Sequence, residues 1–135
     1  MTNLEKLFAF FEAKNQRDWD IYQTFLDEHV IWDLHGESPE IIQGKEGYLH
    51  RIKEAYQDSS TQFSCQYYHT NAEQSRILTI LVNDHGDLSC DLFEFANGLI
   101  IKEIEYLLKK RGGTEIGNSL EFDFVVPSPH GLVGL

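Results

Sequence analysis

The apolar positions of this chain change period once. From Leu4 to about Tyr56 they return every three or four residues, with one extended interruption; from Phe63 to Leu108 they alternate. The first half reads as helices and the second as strands. Leu4, Leu7, Phe8 and Phe11 share one helical face, and Thr2 with Glu5 has the pattern of a capping box. The polar run Lys14-Asn15-Gln16-Arg17 breaks that helix, and Asp18 is placed to cap a second one burying Trp19, Tyr22, Phe25 and Leu26. The chain is then extended from His29 to His35. A polar link from Gly36 to Gln43, containing Pro39, leads to Gly44 and to a third helix over about Lys45 to Gln57, with Tyr48, Leu49, Ile52 and Tyr56 inward.

In the second half Phe63, Cys65 and Tyr67 alternate with Ser64 and Gln66. Arg76 to Val82 is a β-branched and leucine-rich run typical of a strand covered on both faces. Residues 83–87 make a turn, Leu88 to Phe95 the next strand, Ala96-Asn97-Gly98 a tight hairpin turn, and Leu99 to Leu108 the returning strand. The expected architecture is α+β: three N-terminal helices packed on a curved, mainly antiparallel sheet. Residues 1–111 form the domain. Residues 112–135 are an extension in which Leu120 to Val126 alternates like a strand, before Pro127, Pro129, Gly131 and Gly134 turn it loop-like.

A chain of 135 residues suits one domain with a real core. No apolar stretch approaches the ~20 residues of a membrane helix, and the N-terminus lacks an apolar signal region, so a cytoplasmic protein is expected. Cys65 and Cys90 read as buried thiols rather than a disulfide framework. The net charge of −11, from 22 acidic and 11 basic residues, argues against nucleic acid or an anionic membrane as partner. The run Lys109-Lys110-Arg111 reads as a solvated strand end.

The candidate chemistry lies in carboxylates that interrupt apolar strands. Asp33 stands in Val30-Ile31-Trp32-Asp33-Leu34-His35-Gly36 and Asp91 in Cys90-Asp91-Leu92-Phe93-Glu94-Phe95. A carboxylate on the apolar side of a sheet must be protonated, hydrogen-bonded or paired, and such groups collect at functional sites. Asp91 shares its face with Phe93 and Phe95; a structural role, bonding backbone groups or a tyrosine, is its alternative. His35 shares the face of Asp33 and could pair with it, unless both meet solvent at a strand end. His69 ends the strand of Phe63, Cys65 and Tyr67 on their face. Glu103 and Glu105 alternate with Lys102, Ile104 and Tyr106, so lining the concave side and facing solvent are both open to them. The six histidines are scattered without ligand spacing, and no metal site is expected. Neither a glycine-rich phosphate loop nor a serine nucleophile elbow is present.

Three stretches together resemble the nuclear transport factor 2-like superfamily, which includes SnoaL-like cyclases and ketosteroid isomerases. They are Val30 to Gly36 after the second helix, Gln43-Gly44-Lys45-Glu46-Gly47-Tyr48-Leu49 at the third helix, and Asp91 to Ile100 at the closing hairpin. The resemblance covers about residues 3–108 and implies a cone-shaped roll enclosing an apolar pocket, with Phe8, Phe11, Trp19, Trp32, Phe63, Tyr67, His69, Phe93 and Phe95 in or behind its wall. It implies Asp33 as general base, a protonated Asp91 as donor to an enolate, and His35 as auxiliary. The tyrosine that the isomerases carry on helix one has no counterpart in Leu7-Phe8-Ala9-Phe10-Phe11; Tyr22, Tyr48, Tyr67 or Tyr68 could supply the donor. The Asp–Arg–Asp set of the superfamily's epoxide hydrolases finds only Arg76 in the main sheet. The implied activity is cofactor-independent proton transfer on a small hydrophobic carbonyl compound, of isomerase, dehydratase or cyclase type, by a homodimer. The alternative is a non-catalytic module that binds a small apolar ligand or dimerises.

Overall fold

The computed structural model describes residues 1–110 and 122–124. Helix α1 (Asn3–Asn15) starts as its grammar requires: Glu5 N–H donates to Thr2 Oγ1 at 3.1 Å and Thr2 N–H to Glu5 Oε1 at 2.7 Å. Its inner stripe is Leu7, Phe10, Phe11 and Ala13. Phe8 lies off that stripe, 38% exposed, with its ring edge-on to Tyr68. Helix α2 (Trp19–Gln23) is capped by Asp18 and shorter than its pattern suggested. Phe25 and Leu26 lie beyond it, because the chain is already extended at Leu26, where β1 (Leu26–His35) begins.

The polar link hides a strand. β2 (Glu40–Gln43) pairs antiparallel with β1 and feeds α3 (Lys45–Ala55) through Gly44, whose φ of 87° favours glycine. β3 (Phe63–Thr70), β4 (Arg76–Asn83), β5 (Leu88–Ala96) and β6 (Leu99–Lys110) form the meander. Asn97 and Gly98, both at positive φ, make the tight turn between the last two. The sheet order is β2-β1-β6-β5-β4-β3. The β1–β6 pairing is parallel, so the sheet is mixed although mainly antiparallel. The expected strand over 120–126 is present as β7 (Phe122–Phe124), pairing with β6 from Leu108 onward, past the end of β1. The rest of the extension, 112–121 and 125–135, lies outside the described residues.

The helices cover one face of the sheet. Phe10 stacks on Tyr22 at 4.0 Å and stands edge-on to Phe93, while Trp32 lies 4.8 Å from the Tyr48 ring. These contacts belong to a single core with Leu7, Val30, Ile52, Ile77 and Ile100. The end of α1 is stitched to β3 by Asn15, which donates to Phe63 O and accepts from Phe63 N–H as a strand neighbour would. Among the described residues no helix is long and apolar enough to cross a membrane.

Candidate functional site

Strand register decides which carboxylates face the helices. Asp91 lies opposite Glu105, and Phe93 opposite Glu103, so all four project to the inner side. The parallel register of β1 puts Trp32 level with Glu103, on the same side. Asp91, Glu103 and Glu105 are 1%, 6% and 7% exposed, and an oxygen from each lies within 4.8 Å of the others.

Aromatic donors meet two of the three. The Tyr48 hydroxyl donates to Glu103 Oε1 and takes a 3.4 Å contact from the Tyr22 hydroxyl. Trp32 Nε1 donates to Glu105 Oε1 at 2.9 Å. Asp91 Oδ1 is sealed and has no partner among the described residues; neither does the Ser89 hydroxyl, two residues earlier on the same face.

Acids this close in a dry place cannot all ionise. Burial, then the charges of Glu105 and Glu103, push Asp91 well above the usual carboxylate range. Burial, then the charge of Glu103, raises Glu105 to about 8, against the opposing pull of Lys14 and the Trp32 bond. Burial and Glu103 likewise push the Tyr48 and Tyr22 hydroxyls well up. Around neutral pH the centre therefore holds carboxylic acids able to donate as well as accept protons. The same three residues are the one group among those described that could hold a metal ion, an all-oxygen set suited to a hard cation.

Asp33 and His35 are elsewhere. Asp33 is level with Ile104 and His35 with Tyr106, the outward parity of β6. The expectation that Asp33 and Asp91 look into one hollow is thus corrected: Trp32, not Asp33, occupies the inner position of β1. The two outer residues do form the expected pair, His35 Nε2 to Asp33 Oδ1 at 3.0 Å, with the imidazole stacked on Tyr106 at 4.5 Å. Both keep a quarter or less of their side-chain surface exposed.

Tyr67 and His69 are also corrected as pocket residues. A bulge between Cys65 and Tyr67 reverses the alternation, placing Tyr67 opposite Ile80 and His69 opposite Leu78 on the outer face, both exposed. Phe8 is turned away as described above. Phe11, Trp32, Phe93 and Phe95 are buried, with Trp19 and Phe63 packed partly buried against them. Cys65 faces inward and Cys90 outward, both as free thiols.

Glu103 and Glu105, left open by sequence, are the residues that join Asp91. A plain two-residue hairpin would have put Lys102 opposite Phe93. One extra residue between Phe95↔Ile100 and Glu94↔Lys102 shifts the register and turns the glutamates in. Sequence reasoning also missed Lys14. Its ammonium lies 4.6 Å from the Phe63 ring and 4.8 Å from the Tyr56 ring, within the field of all three acids.

No protein-family model matches the chain, and no curated protein matches it in sequence. Solved structures do. A candidate ketosteroid isomerase from Kribbella flavida superposes with a TM-score of 0.72 at 16% identity, over 97% of this chain and 93% of that one. A protein from a soil-derived mobile gene cassette gives 0.70 at 20% identity, over 78% and 88%. A Mycobacterium tuberculosis protein in complex with estradiol-17β-hemisuccinate gives 0.64 at 15%, over 78% and 94%. Helices on one side of an open, mixed sheet, in this order and at this similarity, identify the architecture: the chain has the nuclear transport factor 2-like α+β cone fold.

Proposed function

We propose that this SnoaL-like protein catalyses cofactor-independent proton transfer on a small hydrophobic carbonyl compound, as an isomerase, dehydratase or cyclase. The observation that carries this reading is the convergence of Asp91, Glu103 and Glu105 on the inner face. Glu105, raised to about 8, is poised as the base near neutral pH. Its ionised form takes the proton next to the carbonyl, and the electron pair moves to the carbonyl oxygen. Asp91, held neutral, donates to that developing oxyanion. Return of the proton from Glu105 to a carbon of the product regenerates the base. Tyr48 fixes Glu103, and Trp32 fixes Glu105.

The test is a panel of small cyclic and aryl ketones, followed by solvent-deuterium incorporation. Asp91→Asn and Glu105→Gln should each lower turnover by about 10²-fold or more. Wild-type turnover in both variants, or no exchange with any ketone, overturns the proposal.

A second reading is supported by the depth of the acids: Asp91 is only 1% exposed, as suits a structural cluster beneath a binding site. The protein would then hold a small apolar ligand without turning it over, in line with the steroid ester bound by the M. tuberculosis structure. Saturable ligand binding without deuterium exchange would favour it. In either case we place the protein in the cytoplasm as a homodimer. The outer sheet face, where Ile41 and Tyr67 are 65% and 55% exposed, would make the contact. A monomer by sedimentation at micromolar concentration would refute the dimer.

A further inference from the structure

Lys14 stands out among the charged residues. It leaves the last turn of α1, and its ammonium rests over the Tyr56 and Phe63 rings. Burial alone would favour the neutral amine. The acidic groups around it, Tyr56 foremost and then Glu105, Glu103 and Asp91, more than offset this as they ionise, and hold the ammonium above the usual lysine range. Yet among the described residues no carboxylate lies within ion-pair distance of it, and it donates to no acceptor. The described ion pairs involve Lys45, Arg51, His35 and His85.

Its surroundings repeat this imbalance. Arg17 covers Tyr56 at 4.7 Å and donates to the carbonyls of Ser59 and Thr61, with no carboxylate partner among the described residues. A groove of about 450 Å³ beside Tyr56 is lined by Arg17, Trp19, His50, Lys53 and Glu54. A chain of net charge −11 thus brings two cations, Lys14 and Arg17, onto one aromatic ring, neither in a described ion pair. Lys14 is held firmly there, because the next residue, Asn15, is bonded twice to the Phe63 backbone.

We propose that Lys14 is the anion-recognition residue of the site, and that the substrate is a carbonyl compound bearing a carboxylate. The carboxylate replaces the missing counter-ion at the ammonium, with the Tyr56 and Phe63 rings against the adjoining hydrocarbon. The carbonyl then points toward Asp91 and Glu105. This rests on the reading of those acids as the reacting centre. An ammonium among aromatic rings discriminates a charged oxygen from a neutral one more strongly than it would in water.

The probes are 4-oxo-4-phenylbutanoate and its methyl ester, with affinities measured by calorimetry. The acid should bind the wild type roughly tenfold or more tightly than the ester, as a charge-assisted hydrogen bond implies. Lys14→Met, checked for folding by thermal melting, should reduce that preference to about twofold or less, and Lys14→Arg should keep most of it. The Lys14 Cε resonance of the wild type, which needs no variant, should shift saturably with the acid and stay in place with the ester.

Equal affinity for acid and ester, an unchanged preference in folded Lys14→Met, a silent Cε resonance, or no saturable binding of either probe overturns the proposal. A Lys14-dependent preference without solvent exchange into either probe removes the catalytic reading and leaves the subsite standing. Equal turnover of both probes in wild type and Lys14→Met removes the subsite alone.

Discussion

Asp33 and Asp91 lie on opposite faces of the same sheet: Asp33 is level with Ile104 and Asp91 with Glu105, consecutive residues of β6. Adjacent strand positions project to opposite sides, so no rotamer brings the two carboxylates into one site. Asp33→Asn and His35→Gln are therefore expected to leave ketone turnover within about twofold of wild type, against the ~10²-fold loss for Asp91→Asn. Steady-state kinetics on the three variants check this. A large loss at Asp33 would relocate the chemistry to the outer face.

Glu105 makes stability depend on pH. Its folded value, about 8, lies above the usual 4.5, so the folded state binds this proton more tightly than the unfolded chain does. Its contribution is fully present below about pH 4.5 and is lost as pH rises through 8. Asp91, raised for the same cause of burial among like charges, acts in the same direction. Urea midpoints should fall between pH 5 and 8, and Glu105→Gln should flatten that decline. A midpoint that rises over this range would contradict the assignment.

The indole of Trp32 favours the ionised form of Glu105 by donating to it at 2.9 Å. Trp32→Phe keeps an aromatic ring beside Tyr48 but removes the donor. The Glu105 carboxyl should then titrate above its present value of about 8, which carboxyl-carbon NMR can follow. A downward shift would show that the indole does not hold the anion.

Tyr48 is fully buried, and its hydroxyl is the donor to Glu103. Tyr48→Phe leaves a buried carboxylate and the Tyr22 hydroxyl each short of a partner. A loss of ~1–3 kcal/mol in unfolding free energy is expected, measured by chemical denaturation at pH 7. Removing one ring oxygen from an exposed tyrosine such as Tyr67 should cost far less, and equal costs would show that the bond contributes nothing.

The order of elements was legible along the chain because it rests on local physics. The capping pair Thr2 and Glu5, the apolar stripe of α1, the Asn97-Gly98 turn, the β-branched run of β4 and the alternation of β5 each depend on residues within a few positions of one another. The inward aspect of Asp91 followed from Phe93 and Phe95 in the same way. Strand β2 was missed because four residues carry too little pattern against a polar background.

Membership of the site was a different kind of question. Which carboxylates meet depends on parity, and parity is reset by single unpaired residues: one near Gln66 turned Tyr67 and His69 outward, and one near Ile101 turned Glu103 and Glu105 inward. Local pattern was enough for most of the helices and strands and for one buried acid. Only the pairing of strands far apart in the chain decided that its companions are Glu103 and Glu105 rather than Asp33, because a one-residue shift of register exchanges the two faces of a strand.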